Sequence, residues 1–235
     1  MIKLVEILRY KNKNFEKVDD KVVEEKCLKI YLNGKEITTL SILPEKVEYL
    51  IYGFLFTNNF IEKLKDIKNL EISGNICKIE IFKKVKNFYC KNFSKSKKIK
   101  SEFKISYDKI LSLIRKFQNM SEIYKNTGGV HSCGLTNSEK LIIFAEDISR
   151  HNAFDKVVGE SLFKKINFEN SIIFTSGRIT SDIVIKGIKV QIPMIISVSA
   201  PTYYSIEIAD NYNITLIGFA RGKRFNVYTH KWRVL

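Results

Sequence analysis

The chain is short of the residues that usually announce a specialised scaffold. In 235 residues it has three prolines, one tryptophan and three histidines, and its four cysteines (Cys27, Cys77, Cys90 and Cys133) form no CxxC pair. Neither a disulfide framework nor a zinc ribbon is therefore indicated, and each thiol has to be judged singly. No apolar run approaches the ~18–20 residues of a membrane span, and residues 1–10 hold no long apolar stretch behind a basic start. A soluble intracellular protein is expected. GxGxxG and the Walker A lysine motif are both missing, so ordinary NAD binding and NTP hydrolysis are not favoured.

Acid is scarce relative to base. There are 40 Lys and Arg against 25 Asp and Glu, a formal charge of +15, while 45% of residues are hydrophobic, enough for one large or two small domains with a sizeable core. Only seven of the cations are arginine, and the abundant lysines accompany abundant Ile and Asn, as in a composition-wide bias. The arginines are the more informative cations, because a planar guanidinium matches phosphate and carboxylate. Arg150, Arg178, Arg221, Arg224 and Arg233 fall late in the chain, beside Gly, Ser and Thr. The densest lysine stretch, residues 95–100, contains no aromatic platform and reads as an exposed loop, so nucleic-acid binding is not expected.

Residues 26–43 read as a hairpin turned at Asn33-Gly34, and Pro44 as the start of a helix to about Phe56. A second hairpin turns at Gly74-Asn75, and residues 83–101 form a basic linker. Ser106 caps a helix buried along Ile110, Leu113, Ile114 and Phe117. After Gly128-Gly129 two strands are expected. Three cycles follow: helix 151–166, strand 171–175, helix 181–190, strand 194–199, helix 202–212 and strand 215–220, closed by a strand over 225–229. This alternation predicts an α/β layer with a partly parallel sheet. The division expected is an α+β region of hairpins and a helix over 1–100, ending in a cysteine-bearing loop, and an α/β domain over 101–235.

Ligands of such sheets collect beyond the carboxyl ends of the strands. Those ends carry Ser176, Gly177, Arg178 and Thr180, then Ser199 and Thr202, then Phe219, Ala220, Arg221, Gly222, Lys223 and Arg224, which together suit an anion pocket. The segment EDISRHNAFDK (146–156) is a second candidate. Acidic residues at a helix start are ordinary, but Arg150 is a cation where the helix dipole disfavours one, so Arg150 and His151 are read as facing a ligand or partner. His131 and Cys133 alternate on one strand and share a face, where a histidine can activate a thiol, although burial is the commoner fate of a cysteine. VHSCG has no Glu beside the His, so a deaminase-type zinc site is not expected. Cys90 lies among lysines, which favour the thiolate, whereas Cys27 and Cys77 occupy strand positions and read as structural.

TGGVHSCGL (127–135), EDISRHNAFDKVVGE (146–160), TSGRITSDIVIK (175–186), IPMIISVSAPT (192–202) and TLIGFARGKRFNVYT (215–229) resemble, in order and spacing, the formate dehydrogenase accessory sulfurtransferase family, FdhD. The resemblance implies a cytidine-deaminase-like three-layer carboxyl-terminal domain with a mixed sheet and no zinc chemistry. It implies a cytoplasmic persulfide carrier that takes sulfur from a cysteine desulfurase and passes it to the molybdenum or tungsten bis(molybdopterin guanine dinucleotide) cofactor before insertion into the formate dehydrogenase catalytic subunit. Guanine nucleotides then serve as mimics of that cofactor. The family's cofactor loop falls on residues 219–224, and a homodimer is compatible with the family fold.

The chain departs from the pattern in the linker. The family's CGxCG loop is here reduced to Cys90 followed by Lys91-Asn92, which leaves one thiolate to accept sulfur and removes the neighbour that would resolve it. Cys133 is the second candidate carrier. Ser149 stands where Gly is usual and Asp182 where Glu is usual. The sites expected are thus Cys90 and Cys133 for sulfur, and the three strand-end loops with His131, Arg150 and His151 for the cofactor. The alternative is a non-catalytic chaperone that holds the cofactor for the dehydrogenase.

Overall fold

A computed structural model describes residues 1–82 and 96–235. Its elements are β1 (Ile2–Lys11), β2 (Asn14–Val23), β3 (Lys26–Leu32), β4 (Lys35–Ile42), α1 (Val47–Thr57), β5 (Ile67–Ser73), β6 (Ile76–Ile81), α2 (Tyr107–Asn119) and α3 (Glu122–Thr127). Then follow β7 (His131–Thr136), β8 (Leu141–Asp147), α4 (Arg150–Phe163), β9 (Ile172–Thr175), α5 (Ser181–Val190), β10 (Met194–Ser197), α6 (Tyr203–Asn211), β11 (Thr215–Arg221) and β12 (Arg224–Val227).

β3 and β4 pair antiparallel up to Leu32↔Lys35, and both turn residues, Asn33 and Gly34, have positive φ as the type I′ turn demands. β5 and β6 form the second hairpin, and β3 runs parallel to β6, giving a four-stranded sheet in the order β4-β3-β6-β5. The alternation along β3 and β6 sends Leu28, Ile30, Leu32, Cys77, Ile79 and Ile81 to one face, which α1 covers with Leu50, Ile51 and Leu55. Helix α1 begins three residues after Pro44, because Lys46 adopts a left-handed φ of 55° as its N-cap.

The larger sheet has the order β12-β11-β10-β9-β7-β8, with β9, β10 and β11 parallel and the remaining pairs antiparallel. One face packs against α4, α5 and α6, through Phe154, Val157, Ile183, Ile188 and Ile208 on Leu135, Ile173, Ile195 and Leu216. The other packs against α2, whose Ile110, Leu113, Ile114 and Phe117 meet Ile172, Phe174, Met194, Ile196 and Ile217. Strands buried on both faces read as unbroken apolar runs, and IIFT and MIIS do so. The result is the α/β layer with a partly parallel sheet that the alternation predicts, in the three-layer, mixed-sheet form that the resemblance implies.

The two sheets meet where α1 lies on α4. Ideal Cβ atoms at Gly53 and Gly159 would fall 1.8 Å from Asp155 O and 1.9 Å from Tyr49 O, so the two helix backbones approach as only glycine allows. Two elements are absent from the sequence reading: the short helix α3, capped by Ser121, and the isolated two-stranded arm of β1 and β2.

Candidate functional site

The carboxyl ends of the parallel strands converge as expected, and their loops are zipped to one another. Ile179 N–H donates to Ala200 O (3.0 Å), Thr202 N–H to Ile179 O (3.0 Å) and Phe219 N–H to Ser199 O (3.0 Å). Ser197 Oγ donates to Gly177 O (2.7 Å) and accepts from Ser199 N–H (2.9 Å). Phe219 takes a positive φ of 53°, and Arg221 pairs with Arg224 across a turn at Gly222, so residues 219–224 form a hairpin tip with Arg221, Gly222, Lys223 and Arg224 exposed. Ala220 is buried under α2, so only its backbone faces that loop.

Beside these loops lies a cavity of about 560 Å³, in the usual range for a ligand site, lined by His131, Ser132, Ser176 and Val198 from the sheet and by Phe117, Tyr124 and Gly129 from the α2–α3 wall. Of the predicted residues it gathers His131 and Ser176; Cys133, Arg150, His151, Gly177, Arg178, Ser199, Thr202 and residues 219–224 lie outside its lining. Ser132, Tyr124 and the rest of the α3 wall escape sequence reasoning. The cap signal Ser121-Glu122 and the Gly128-Gly129 stop that bracket α3 were the available cues.

Ser132 N–H donates to Ser176 Oγ (2.9 Å), and His131 Nδ1 stands 3.2 Å from that oxygen. Burial, and then the Arg150 charge, hold the His131 pKa below its ordinary value, so the ring is neutral at pH 7 and Nδ1 can accept the Ser176 hydroxyl hydrogen. The Arg150 side chain lies across Gly177, where a Cβ would come within 2.8 Å of Arg150 Cδ. Arg150 Nε and the Thr180 hydroxyl are buried polar atoms without a hydrogen-bond partner. Thr180 is the N-cap of α5 yet makes no capping bond. Two unfilled donors, a helix N-terminus and a neutral histidine are chemically suited to an anion.

Elsewhere in EDISRHNAFDK, Ile148 lines the cavity, and the buried Asp and Lys side chains are engaged with one another. Asp147 accepts from Leu43 N–H (3.2 Å), Ser149 N–H (3.2 Å) and Asn152 Nδ2 (2.9 Å), and pairs with Lys156 Nζ (2.6 Å). Lys156 also donates to Leu43 O and Glu146 O. Asp155 accepts from Thr57 Oγ1 (2.8 Å) and pairs with Lys186, while Glu160 pairs with Lys46 (2.7 Å) and Lys164 (2.5 Å). These buried charges saturate one another along the seam between the two sheets, and of the segment Arg150 alone combines a buried unfilled donor with the neighbourhood of His131. Arg233, one of the arginines singled out in the sequence, is a fully buried strut bonded to Thr215 Oγ1 and Ser101 O.

Cys133 is completely buried under α4, and burial pushes its thiol far above the ordinary range. The activation by His131 suggested by their spacing is therefore not realised, since desolvation dominates. Cys77 is also buried, with its thiol pushed up to about 12, and Cys27 is exposed at the start of β3. Cys90 lies outside the described residues. Downstream of it, Gln191 Nε2 donates to Lys97 O (3.3 Å) and Ile99 N–H to Tyr212 O (3.1 Å), so the chain rejoins the body at the carboxyl ends of α5 and α6, opposite the cavity. Among the described residues no His, Cys, Asp and Glu cluster suits a metal ion, and no helix is long and apolar enough to cross a membrane.

Fold and site together define a three-layer α/β protein with a cavity at its strand ends, an unfilled arginine donor near the histidine that lines it, and no described reactive thiol beside it. The chain belongs to the FdhD/NarQ family, whose sequence model matches residues 23–235. It is 36% identical to the "Sulfur carrier protein FdhD" of Bacillus subtilis, over 97% of this chain and 96% of that one. It is 35% identical to the protein of the same name from Sulfurisphaera tokodaii, over 100% and 99%. The crystal structure of a putative formate dehydrogenase accessory protein from Desulfotalea psychrophila matches with a TM-score of 0.90 at 28% identity, over 100% of this chain and 99% of that one.

Proposed function

We propose that the protein is a sulfur carrier for formate dehydrogenase maturation. Cys90 takes a sulfane sulfur from a cysteine desulfurase in the cytoplasm and passes it to the molybdenum or tungsten bis(molybdopterin guanine dinucleotide) cofactor, held here as substrate. Its full-length relatives are named sulfur carriers, which supports the transfer. The observation that supports the cofactor side is the buried, unfilled Arg150 Nε close enough to His131 to depress its pKa, a cation suited to the phosphates of a nucleotide-bearing ligand. Arg178, Arg221, Lys223 and Arg224 stand exposed on the adjoining loops, free to meet the remaining charge.

Loading Cys90 is a thiol exchange. The Cys90 thiolate attacks the terminal sulfur of the desulfurase persulfide, a new S–S bond forms, and the desulfurase leaves as its thiolate. Release of that sulfur as sulfide needs two electrons. Cys77 and Cys133 are buried with raised pKa values, so neither serves as resolving thiol in this conformation, and the reductant is the exposed Cys27, a partner or an external thiol.

Incubation with a desulfurase and cysteine, followed by mass spectrometry, should show one added sulfur on the native chain and on Cys133→Ser, and none on Cys90→Ser. Formate dehydrogenase maturation should fail with Cys90→Ser. Intact maturation in that variant would overturn sulfur transfer and favour a cofactor-holding chaperone.

The anion site makes a second prediction. A phosphate against Arg150 offsets the charge that depresses His131, so binding should raise the histidine pKa and draw in protons between the depressed value and the ordinary ~6.5. Calorimetric titration with GDP near pH 6, in buffers of different ionisation enthalpy, should show proton uptake that disappears in His131→Asn. Equal heats in all buffers would contradict this placement.

A further inference from the structure

We propose that Lys97, Lys98 and Lys100 form a preset basic strip on which an acidic face of the sulfur-donor protein docks while it loads Cys90. The strip rests on the sulfur-carrier reading and adds to it the surface that receives the donor. From Lys83 to Lys100 the chain carries eight lysines and no acidic residue, with Cys90 in their midst. The carboxyl-terminal end of that run is fixed on the body. Ile99 is a buried member of the larger core; its N–H donates to Tyr212 O (3.1 Å) and its carbonyl accepts from Asn213 Nδ2 (2.6 Å). On one side Gln191 Nε2 donates to Lys97 O (3.3 Å), and on the other Ser101 Oγ donates to Glu169 O (2.6 Å) while Arg233 donates to Ser101 O (3.0 Å).

With Ile99 as the plug, the three lysines stay exposed, along a groove of about 330 Å³ that Glu169 and Gln191 complete. Among the described residues none of the three joins an ion pair. The ordinary structural use of lysine here would be to meet the carbonyls at the ends of α5 and α6. Those carbonyls have other partners, since Ile188 O accepts from Gln191 Nε2 (2.9 Å) and Tyr212 O from Ile99 N–H. One carboxylate against three ammonium groups leaves the groove positive, and its complement is an acidic surface. Because the backbone is already fixed, such a partner is spared most of the entropy of ordering it.

Position selects the donor over the acceptor of the sulfur. Seven residues separate Cys90 from Lys97, so however the chain between them runs, the two stay within about 25 Å. A protein seated on the strip is therefore within reach of the thiol. The strip also lies opposite the cavity, at the carboxyl ends of α5 and α6, so a docked donor leaves the cofactor side open. The same lysines steer an acidic partner toward Cys90 before contact.

The test is the rate at which the full chain gains sulfur on Cys90 from a cysteine desulfurase and cysteine, followed by mass spectrometry. Lys97→Glu, Lys98→Glu and Lys100→Glu together should slow loading on the order of tenfold or more at low salt, and the three Gln replacements should fall between. Raising salt from about 20 to 500 mM should slow the native chain and hardly affect the Glu variant. Circular dichroism, GDP binding and the alkylation of Cys90 by the neutral reagent iodoacetamide should match the native chain in both variants, which separates docking from folding and from thiol reactivity. Lys13→Glu, Lys29→Glu and Lys78→Glu, three exposed lysines elsewhere, change the net charge equally and should leave loading near the native rate. Equal slowing by both sets would overturn the strip in favour of a diffuse field, and native loading by the strip variant would overturn it outright. Normal loading with failed dehydrogenase maturation would overturn the donor and assign the strip to the client. A native chain that gains no sulfur on Cys90 would overturn the sulfur-carrier reading, and the strip with it.

Discussion

Asp147→Ala should lower the stability of the protein by about 3–5 kcal/mol, because it strands a buried ammonium. Asp147 and Lys156 have almost no accessible surface, and the carboxylate also accepts from Leu43, Ser149 and Asn152. Breaking one partner of such a pair leaves the full desolvation cost of the other, at roughly 2–4 °C of thermal midpoint per kcal/mol for a chain of this size, or a fall of about 10 °C. Burial already lowers the Lys156 pKa, and Asp147 is the chief group opposing that shift. In the variant the folded lysine therefore releases its proton further below the unfolded value of ~10.4. The unfolded chain then holds more protons across that window, so stability rises with pH. Thermal melts of native and Asp147→Ala protein at pH 7 and 9.5 should show the gap narrowing at the higher pH. Adding Lys156→Met should recover much of the loss at pH 7, since the stranded charge is gone.

Gly159→Ala should also be severely destabilising, by about 3 kcal/mol or more, although alanine is the better helix former by roughly 1 kcal/mol. The reversal of sign is the informative part. A Cβ at residue 159 would stand 1.9 Å from Tyr49 O and 2.8 Å from Gly53 N, so α1 and α4 would have to separate by more than an ångström. That separation loosens the contacts crossing the same seam, Thr57 to Asp155 and Lys46 to Glu160. Gly222 provides the contrast. Its φ of 62° disfavours a side chain, but nothing lies near its Cβ position, so Gly222→Ala should cost only about 1 kcal/mol. Urea denaturation of the two variants measures both, and a stabilised Gly159→Ala would show that the helices are not in contact there.

Local signals were read well because they are local. Asn33-Gly34 can supply two positive φ angles, Ser106 accepts from Lys109 N–H, and the apolar runs at β9 and β10 fit only strands buried on both sides. The arm was missed for the complementary reason. Its charges and aliphatics alternate without a body to bury against, so neither hydrophobic face reads as a core strand, and the turn at Asn12-Lys13 lacks glycine. Among the residues lining the cavity, Ser176 was picked out because strand ends in an α/β sheet carry ligands, and His131 because it alternates with Cys133 on one strand. The α3 wall was not, since six residues give too short a pattern to show a period.

By itself the sequence determined the strands and helices of the two larger sheets, where the parallel strands end, and that the family's ordered motifs are present while its second linker cysteine is not. Only the tertiary structure decided what each charged or reactive group does, because burial and pairing depend on residues far apart in the chain. Packing α4 against α1 and β8 turned Asp147, Asp155, Lys156 and Glu160 into an internal seam. It left Arg150 with a buried, unfilled donor beside a neutral His131, and sealed Cys133 as a protonated core thiol. Charge and nucleophilicity are properties of an environment, and a linear sequence does not specify the dielectric around a side chain.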